Sequence, residues 1–299
     1  MYELPNGFAL VTPASRGLGF AFAHQLLART ELPVIATARK NCTEIKERLL
    51  SSDNVPTDAE KRLRVLEVDV TGMVEVLEFT EHIPLNRNKL KRLIDEAMIS
   101  AMADTIKREY PDTPLRLGLA VPGTLHVEKS PSQIDSAKAL DSFKVNSLGP
   151  LLLMKHLSQF VPPKSAPAFA AVSDNASSEN SLSLPSHAIY AMMAARVGSI
   201  SDNASGGWYS YRASKAAVFQ LTKSFDLYLR TKSGQRAFAV ALHPGTVRTD
   251  FTKEFWGGRE MLEPNDAAGK LLEVLVGLPS DAKGGRGRCW DWKGEEVMP

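Results

Sequence analysis

The chain has 299 residues, 43% of them hydrophobic, and a formal net charge of +2 at neutral pH. That length and apolar content suit a globular protein with a sizeable core, and the scattered, near-balanced charge argues against a nucleic-acid or anionic-membrane surface. The two cysteines, Cys42 and Cys289, have no metal-ligand spacing, the N-terminus carries no signal-peptide pattern, and no apolar run reaches membrane-spanning length, so a reduced, cytoplasmic, metal-free protein is the expectation.

Residues 7–12 read as a short buried strand that runs into a glycine turn, Pro13-Ala14-Ser15-Arg16-Gly17-Leu18-Gly19, and then an apolar helix over 20–28. Strand, glycine turn and helix form the setting in which a dinucleotide pyrophosphate rests on a helix N-terminus, with Gly17 and Gly19 letting the backbone approach the phosphates. A tight turn with no ligand is the plainer reading of the same residues. The next strand, 33–37, leads into Ala38-Arg39-Lys40. A fold that prefers NAD carries an acid near this point for the ribose hydroxyls. This chain carries bases, and Arg39, with Arg16 or Lys40, suits a 2′-phosphate. A third strand, 62–68, ends at Asp69-Val70, where Asp69 is either an adenine contact or a helix N-cap. Residues 72–110 read as mostly helical, interrupted at Pro84, with the basic run 86–92 as a solvated face. A fourth strand, 116–121, ends in Pro122-Gly123, and Phe143-Lys-Val-Asn146 leads an apolar helix to about residue 160.

Between 161 and 187 the composition shifts to Pro, Ser and Asn, as in a loop or insertion. A fifth strand, 188–197, ends near Gly198-Ser199. Residues 206–215 then open a long helix to about residue 229, on which Tyr211 and Lys215 stand at i and i+4 and share a face. A cation so placed stabilises the phenolate and equips the tyrosine to exchange a proton near neutral pH. A sixth strand, 237–242, ends in His243-Pro244-Gly245-Thr246-Val247-Arg248-Thr249-Asp250. A Phe/Trp-bearing loop (251–258), a helix near 266–276 and Arg288-Cys-Trp-Asp-Trp292 complete the chain. Alternating strands and helices argue for an α/β parallel sheet covered on both faces. Right-handed crossovers bring the ends of strands one, four, five and six to one crevice, where the glycine turn, Gly123, Ser199 and Pro244-Gly245 meet Tyr211 and Lys215.

Taken together, Tyr211-x-x-x-Lys215, Thr12-Pro-Ala-Ser-Arg-Gly-Leu-Gly19, Asp69-Val70, Asn146 and Pro244-Gly245-Thr246-Val247-x-Thr249 resemble the short-chain dehydrogenase/reductase family over nearly the full length. Residues 195–203 and 206–215 resemble a subgroup close to the C-factor and sniffer-type carbonyl reductases. The resemblance implies a Rossmann-type doubly wound, mainly parallel sheet of about seven strands with helices on both faces. It implies a single NAD(P)-binding domain over 1–299, with insertions about 72–105 and 164–187 and a substrate lid about 246–265. The implied activity is NADPH-dependent hydride transfer between nicotinamide and a carbonyl or alcohol substrate. Tyr211 is the implied acid/base, Lys215 its tuning cation, Ser199 the hydroxyl on the carbonyl oxygen, and Asn146 the holder of a water linking Lys215 to solvent. The implied cofactor contacts are Ser15, Arg16, Gly17, Leu18, Gly19, Arg39, Asp69, Val70, Gly123, Tyr211, Lys215, Pro244, Gly245, Val247 and Thr249, favouring NADP(H) over NAD(H). Trp208, Tyr209, Phe251, Phe255 and Trp256 would wall the pocket or form its lid. The implied partners are a small molecule and other copies of the chain, as a homodimer or homotetramer, with no nucleic acid and no membrane.

Three departures from the family pattern bear on function. Pro13 replaces the first glycine of the turn, only Gly123 survives of the Asn-Asn-Ala-Gly stretch, and Ala194-Ala195 stand where the family often has Ser-Ser. The resemblance then assigns the serine role to Ser199, twelve residues before the tyrosine, or leaves it with no serine at all. These departures keep a second reading open, a cofactor-binding regulatory protein with little or no turnover.

Overall fold

Strand β1 (Phe8–Thr12) is buried at every position and has no polar face, the pattern of a strand covered from both sides. The same holds for β2 (Val34–Ala38). The computed structural model describes residues 6–69, 73–76, 91–94, 96–170, 181–255, 261–281 and 284–299, with the backbone alone at 73–76, 91–94 and 254–255. Between β1 and β2 lies α1 (Gly17–Arg29), which begins within the glycine turn rather than after it. Helices α2 (Cys42–Leu50) and α3 (Ala59–Arg62) lead to β3 (Leu63–Glu67).

The stretch expected to be mostly helical is corrected by the structure. Strands β4 (Met73–Val76) and β5 (Lys91–Ile94) pair antiparallel as a separate two-stranded sheet, and among the described residues of that stretch only α4 (Glu96–Glu109) is helical. Val74, Val76 and Ile94 are β-branched, and pairing between segments so far apart leaves no trace in local periodicity. Strand β6 (Leu115–Ala120) is followed by α5 (Ser136–Phe143) and α6 (Gly149–Leu157), with a π-helical turn between them. Strand β7 (Ala188–Met193) stops short of the expected end, because residues 196–198 form a 3₁₀ turn. Helix α7 (Tyr209–Lys232), β8 (Ala237–His243), α8 (Pro264–Gly277), β9 (Cys289–Asp291) and β10 (Glu296–Val297) complete the fold.

The main sheet runs β10-β9-β8-β7-β6-β1-β2-β3. Seven of its eight strands are parallel, and β10 alone is antiparallel to β9. This is the doubly wound α/β architecture expected, with one added edge strand. Alternation along β1 divides the core into two layers. Ala9 and Val11 join Phe22, Leu26 and Leu271 on one face, while Phe8 and Leu10 join Leu153, Val218 and Phe225 on the other. Among the described residues, no helix is long and apolar enough to cross a membrane.

One buried ion pair fastens α7 to this sheet. Asp226 is fully buried and accepts hydrogen bonds from Arg286 Nε at 2.9 and 3.1 Å, from Arg230 Nε at 3.0 Å and from the Ala239 amide at 3.3 Å. The Arg286 guanidinium is itself buried and also donates to the Gly234 and Ala237 carbonyls. Asp226→Ala strands that guanidinium without its carboxylate, so urea unfolding is expected to show a loss of about 3–5 kcal/mol. A loss under about 1 kcal/mol would mean that the surrounding carbonyls alone hold Arg286.

Candidate active site

From β1 the chain winds outward through β2 and β3, and from β6 it winds the other way through β7 and β8. The crevice beyond the strand ends at such a reversal is where open α/β sheets bind ligands. Here it is a cleft of about 1830 Å³.

One wall is the start of α1. Gly17 sits at φ 55°, and a Cβ at Gly19 would collide with the Pro13 carbonyl oxygen, so the turn requires glycine at both places. The Thr12–Pro13 peptide is cis. The N-cap Arg16 makes no side-chain capping bond, and the first turn holds no acidic residue. Uncapped amides at a helix N-terminus are an anion site. Ser15, Arg16, Gly17, Leu18 and Gly19 all line the cleft, and so does Arg39, exposed at the end of β2. Lys40 does not. Of the third-strand pair, Asp69 is half-buried and off the cleft wall, where Val68 stands instead, and Val70 lies outside the described residues.

The opposite wall is the start of α7. Its first turn is held by Glu128, which is 2% exposed. The Glu128 carbonyl accepts from the Trp208 amide at 2.6 Å, and its carboxylate accepts from the amide and the hydroxyl of Ser210, each at 2.8 Å. A carboxylate at a helix N-terminus is favoured by the helix dipole. The spacing of 82 residues gave no sequence signal for this cap. One residue further on, Tyr211 is buried and lines the cleft, flanked by Trp208 and Phe251 at ring distances of 6.0 and 6.1 Å. Tyr209 is not on the cleft wall, the Phe255 side chain and Trp256 lie outside the described residues, and so do residues 256–260 of the expected lid.

Lys215 also lines the cleft and is 2% exposed. Its Nζ donates to the Met193 carbonyl at 2.7 Å, at the end of β7. Burial pulls the amine down to about 7 and pushes the Tyr211 phenol above its ordinary value. Desolvation thus outweighs the tuning expected from the Tyr-Lys spacing.

Asn146 is fully buried in the π-helical turn between α5 and α6. Such turns often mark functional positions. Its Nδ2 donates to the Thr124 carbonyl at 3.0 Å and to Ser214 Oγ at 2.9 Å, and its Oδ1 accepts from the Thr124 amide at 2.8 Å. Asn146 is not on the cleft wall, but it sets the residues that are. A Cβ at Gly123 would lie 3.6 Å from Phe251, 3.9 Å from Asn146 Oδ1 and 4.0 Å from Lys215 Nζ, so three groups converge on that glycine. Pro244, Gly245, Val247 and Thr249 line the cleft from the end of β8.

Ser199 requires a correction. It is 1% exposed, is absent from the cleft wall, and its Oγ accepts the Asp202 amide at 3.0 Å. The 3₁₀ turn at 196–198 carries it away, while Ala194 and Ala195 line the cleft in its place. A further pair that the sequence did not single out, His126 and Asp141, joined at 2.8 Å, lines the cleft beyond Thr124. Among the described residues no cluster of His, Cys, Asp or Glu has the form of a metal site.

The Lys215 amine makes a pH prediction. Its native value of about 7 lies below the ordinary 10.5, so protonation opposes folding fully below about pH 7 and progressively less as pH rises towards 10.5. Lys215→Met removes that opposition. The ligand-free variant is expected to gain thermal stability over the parent, with a larger gain at about pH 6.5 than at about pH 10. An equal gain at both would exclude a depressed lysine.

No protein-family model matches the chain. It is 41% identical over 93 residues to 1-hydroxy-2-glutathionyl-2-methyl-3-butene dehydrogenase of Rhodococcus sp. (strain AD45), a match covering 31% of this chain and 40% of that enzyme. It is 31% identical over 165 residues to C-signal of Myxococcus xanthus, covering 55% of this chain and 80% of that protein. In structure it is similar to the carbonyl reductase Sniffer of D. melanogaster, with a TM-score of 0.73 and 22% identity over 98% of this chain and 99% of that one. It is also similar to the NADPH bound carbonyl reductase from chicken fatty liver, with a TM-score of 0.72 and 23% identity over 98% of each chain. With a doubly wound sheet, a glycine turn at the start of α1 and a tyrosine and lysine one turn apart on the cleft face of α7, the chain belongs to the short-chain dehydrogenase/reductase family.

Proposed function

We propose that the protein is an NADPH-dependent oxidoreductase that interconverts a small-molecule carbonyl and its alcohol, with Tyr211 as the acid/base. The observation that carries this reading is the pairing of Tyr211 and Lys215 on one cleft wall with an uncapped, base-flanked helix N-terminus on the other. The residues present fit a dinucleotide phosphate. The amides of the first turn of α1 suit the pyrophosphate, and Arg16 and Arg39 suit a 2′-phosphate as charge-assisted donors. The similarity to a carbonyl reductase whose structure holds NADPH supports the same choice.

When bound, the dinucleotide supplies or takes up the hydride. The chain's own residues do the rest. Tyr211 donates its phenolic proton to the oxygen that becomes the alkoxide, or accepts it in the reverse direction. Lys215 favours the phenolate that remains. Pro244, Gly245, Val247 and Thr249 close the side of the cleft where the nicotinamide would sit, and Asn146 fixes Thr124 and Ser214 around Lys215. Trp208 and Phe251 present ring faces and edges beside the phenol, a wall that favours a flat apolar substrate. Residues 246–265 are proposed as the lid and 1–299 as one domain, acting in the cytoplasm.

A second reading is favoured by Ala195. No serine hydroxyl from the 194–199 segment reaches the cleft, so one hydrogen bond to the developing oxyanion is missing. A protein that binds the cofactor and turns over slowly, serving regulation, fits that loss. The two readings separate in one experiment. Fluorescence titration is expected to give NADPH binding at least about tenfold tighter than NADH, and Arg39→Asp to erase the difference. With aromatic and aliphatic aldehydes, turnover is expected to fall by about 10²–10⁴-fold in Tyr211→Phe with NADPH affinity retained. NADPH binding with no turnover of any carbonyl favours the regulator, and no binding of either dinucleotide sinks both readings. We also propose a homodimer or homotetramer, because Leu140, Phe143, Leu148 and Leu151 leave α5 and α6 with exposed apolar side chains. Light scattering is expected to give a multiple of the chain mass, and a monomer overturns the proposal.

A further inference from the structure

The Arg288-Cys-Trp-Asp-Trp292 stretch takes no part in the site described above, yet it reaches both loops on the β7–β8 side of the cleft. Gly245 has φ 74°, and a Cβ there would lie 2.5 Å from Trp292 Nε1 and 2.7 Å from its Cδ1. The backbone of the 244–249 loop therefore rests directly on the edge of the indole. The indole is held in turn by two ammonium groups, Lys270 Nζ from α8 at 5.5 Å and Lys293 Nζ at 5.0 Å.

The neighbouring residue grips the other loop. Asp291 is 4% exposed and pairs with His243 in the β8–β9 register. Its Oδ1 accepts from the Lys293 and Glu295 amides, each at 2.9 Å, which fixes the hairpin turn. Its Oδ2 accepts from Arg196 Nη2 at 2.9 Å, and Arg196 Nη1 donates to Asp202 at 3.0 Å. The amide and the hydroxyl of Ser201 both donate to the Pro299 carbonyl, at 3.3 and 2.6 Å. Arg196, Asp202 and the whole 244–249 loop line the cleft, whereas Asp291 and Trp292 do not.

We infer that the β9–β10 hairpin is the positioning element for this side of the cleft, Trp292 seating the 244–249 loop and Asp291 seating the 196–202 turn. For its effect on ligands the inference rests on the cofactor reading above. For its effect on the loops it stands alone. Trp292 and Asp291 are positioning residues, since they act through Gly245 and Arg196.

The test combines amide hydrogen exchange on the ligand-free protein with NADPH titration. In Trp292→Ala, exchange in 244–249 is expected to accelerate while that in 8–29 stays at the parent rate. NADPH affinity is expected to fall about tenfold, since a small misplacement of a positioned group is costly. Trp292→Phe keeps a flat ring under Gly245 and is expected to return both readings to within about twofold of the parent. Asp291→Asn is expected to accelerate exchange in 196–202 alone and to raise the carbonyl KM with NADPH affinity unchanged. If Trp292→Ala does not fold, Trp292→Leu keeps the bulk without the planar edge and is read in the same way. Unchanged exchange in 244–249, or a Phe variant as perturbed as the Ala variant, overturns the inference. A parent protein that binds no dinucleotide sinks the cofactor reading, and the exchange rates then decide this inference by themselves.

Discussion

The site depends on an amine held out of water. Lys215 lies 2% exposed in the first half of α7, and its one fixed acceptor is the Met193 carbonyl at 2.7 Å. No carboxylate pairs with it among the described residues, and burial alone sets the direction of its pKa. A charged amine in such a place costs free energy, and proteins accept that cost where the group has a task. The position of β7 relative to α7 is thereby tied to the chemistry. If either element shifts, the amine loses its acceptor or regains water, and its proposed pairing with the phenol one turn back is disturbed.

Much of the surrounding structure follows from keeping those two elements in place. Gly198 lies so close to α7 that a Cβ there would stand 2.7 Å from the Lys215 carbonyl carbon, so the turn after β7 packs backbone to backbone against the helix. From the other side Asn146 takes Ser214, the residue before the lysine, and Thr124 into one hydrogen-bonded group. Glu128 holds the N-terminus of the helix, and Asp226 its C-terminal half. The turn after β7, the 124–128 segment, the π-helical turn and the Arg286 segment thus converge on one helix. The π-helical turn at 144–148 has a physical reason in this setting. It lets the α5–α6 segment change phase, so that Asn146 reaches inward while Leu148 and Leu151 remain outside.

The residues that were legible in the sequence share a property, in that their signal is local. The glycine turn, the Tyr211 and Lys215 spacing and the Pro244-Gly245 strand end are each contained within a few residues, and each falls on the cleft. The parallel sheet was equally legible because strands buried on both faces read as unbroken apolar runs. What escaped was non-local. The β4–β5 pairing joins Met73–Val76 to Lys91–Ile94, segments that a local reading took for parts of one helical stretch. The Glu128 cap and the Trp292 seat are contacts across the fold whose residues look ordinary in isolation. Ser199 misled for a related reason. Counting back from Tyr211 carries over a family spacing, whereas in this fold the residues that follow β7 onto the cleft wall are Ala194 and Ala195, ahead of the 3₁₀ turn at 196–198.

The displaced serine changes how the chemistry is divided. With Ala194 and Ala195 on the cleft wall and Ser199 turned onto the Asp202 amide, the proposed chemistry gives the substrate oxygen Tyr211 as its donor, with no serine of the 194–199 segment beside it. A single donor must then both orient the carbonyl and deliver the proton, where two donors would share the developing charge. The compensation open to this fold is steric. Trp208 and Phe251 flank the phenol, and Gly123 leaves room for a substrate to approach Lys215 and Phe251 together. A flat substrate gripped by those rings surrenders its rotational freedom on binding, so the orientation that a hydroxyl would enforce through a hydrogen bond is enforced by shape. Charge stabilisation is not recovered in that way. Catalysis of the proposed kind would therefore be more exposed to the protonation state of Tyr211 and Lys215 than it would be with a second donor. The deep burial of both groups is consistent with a site that relies on the pair.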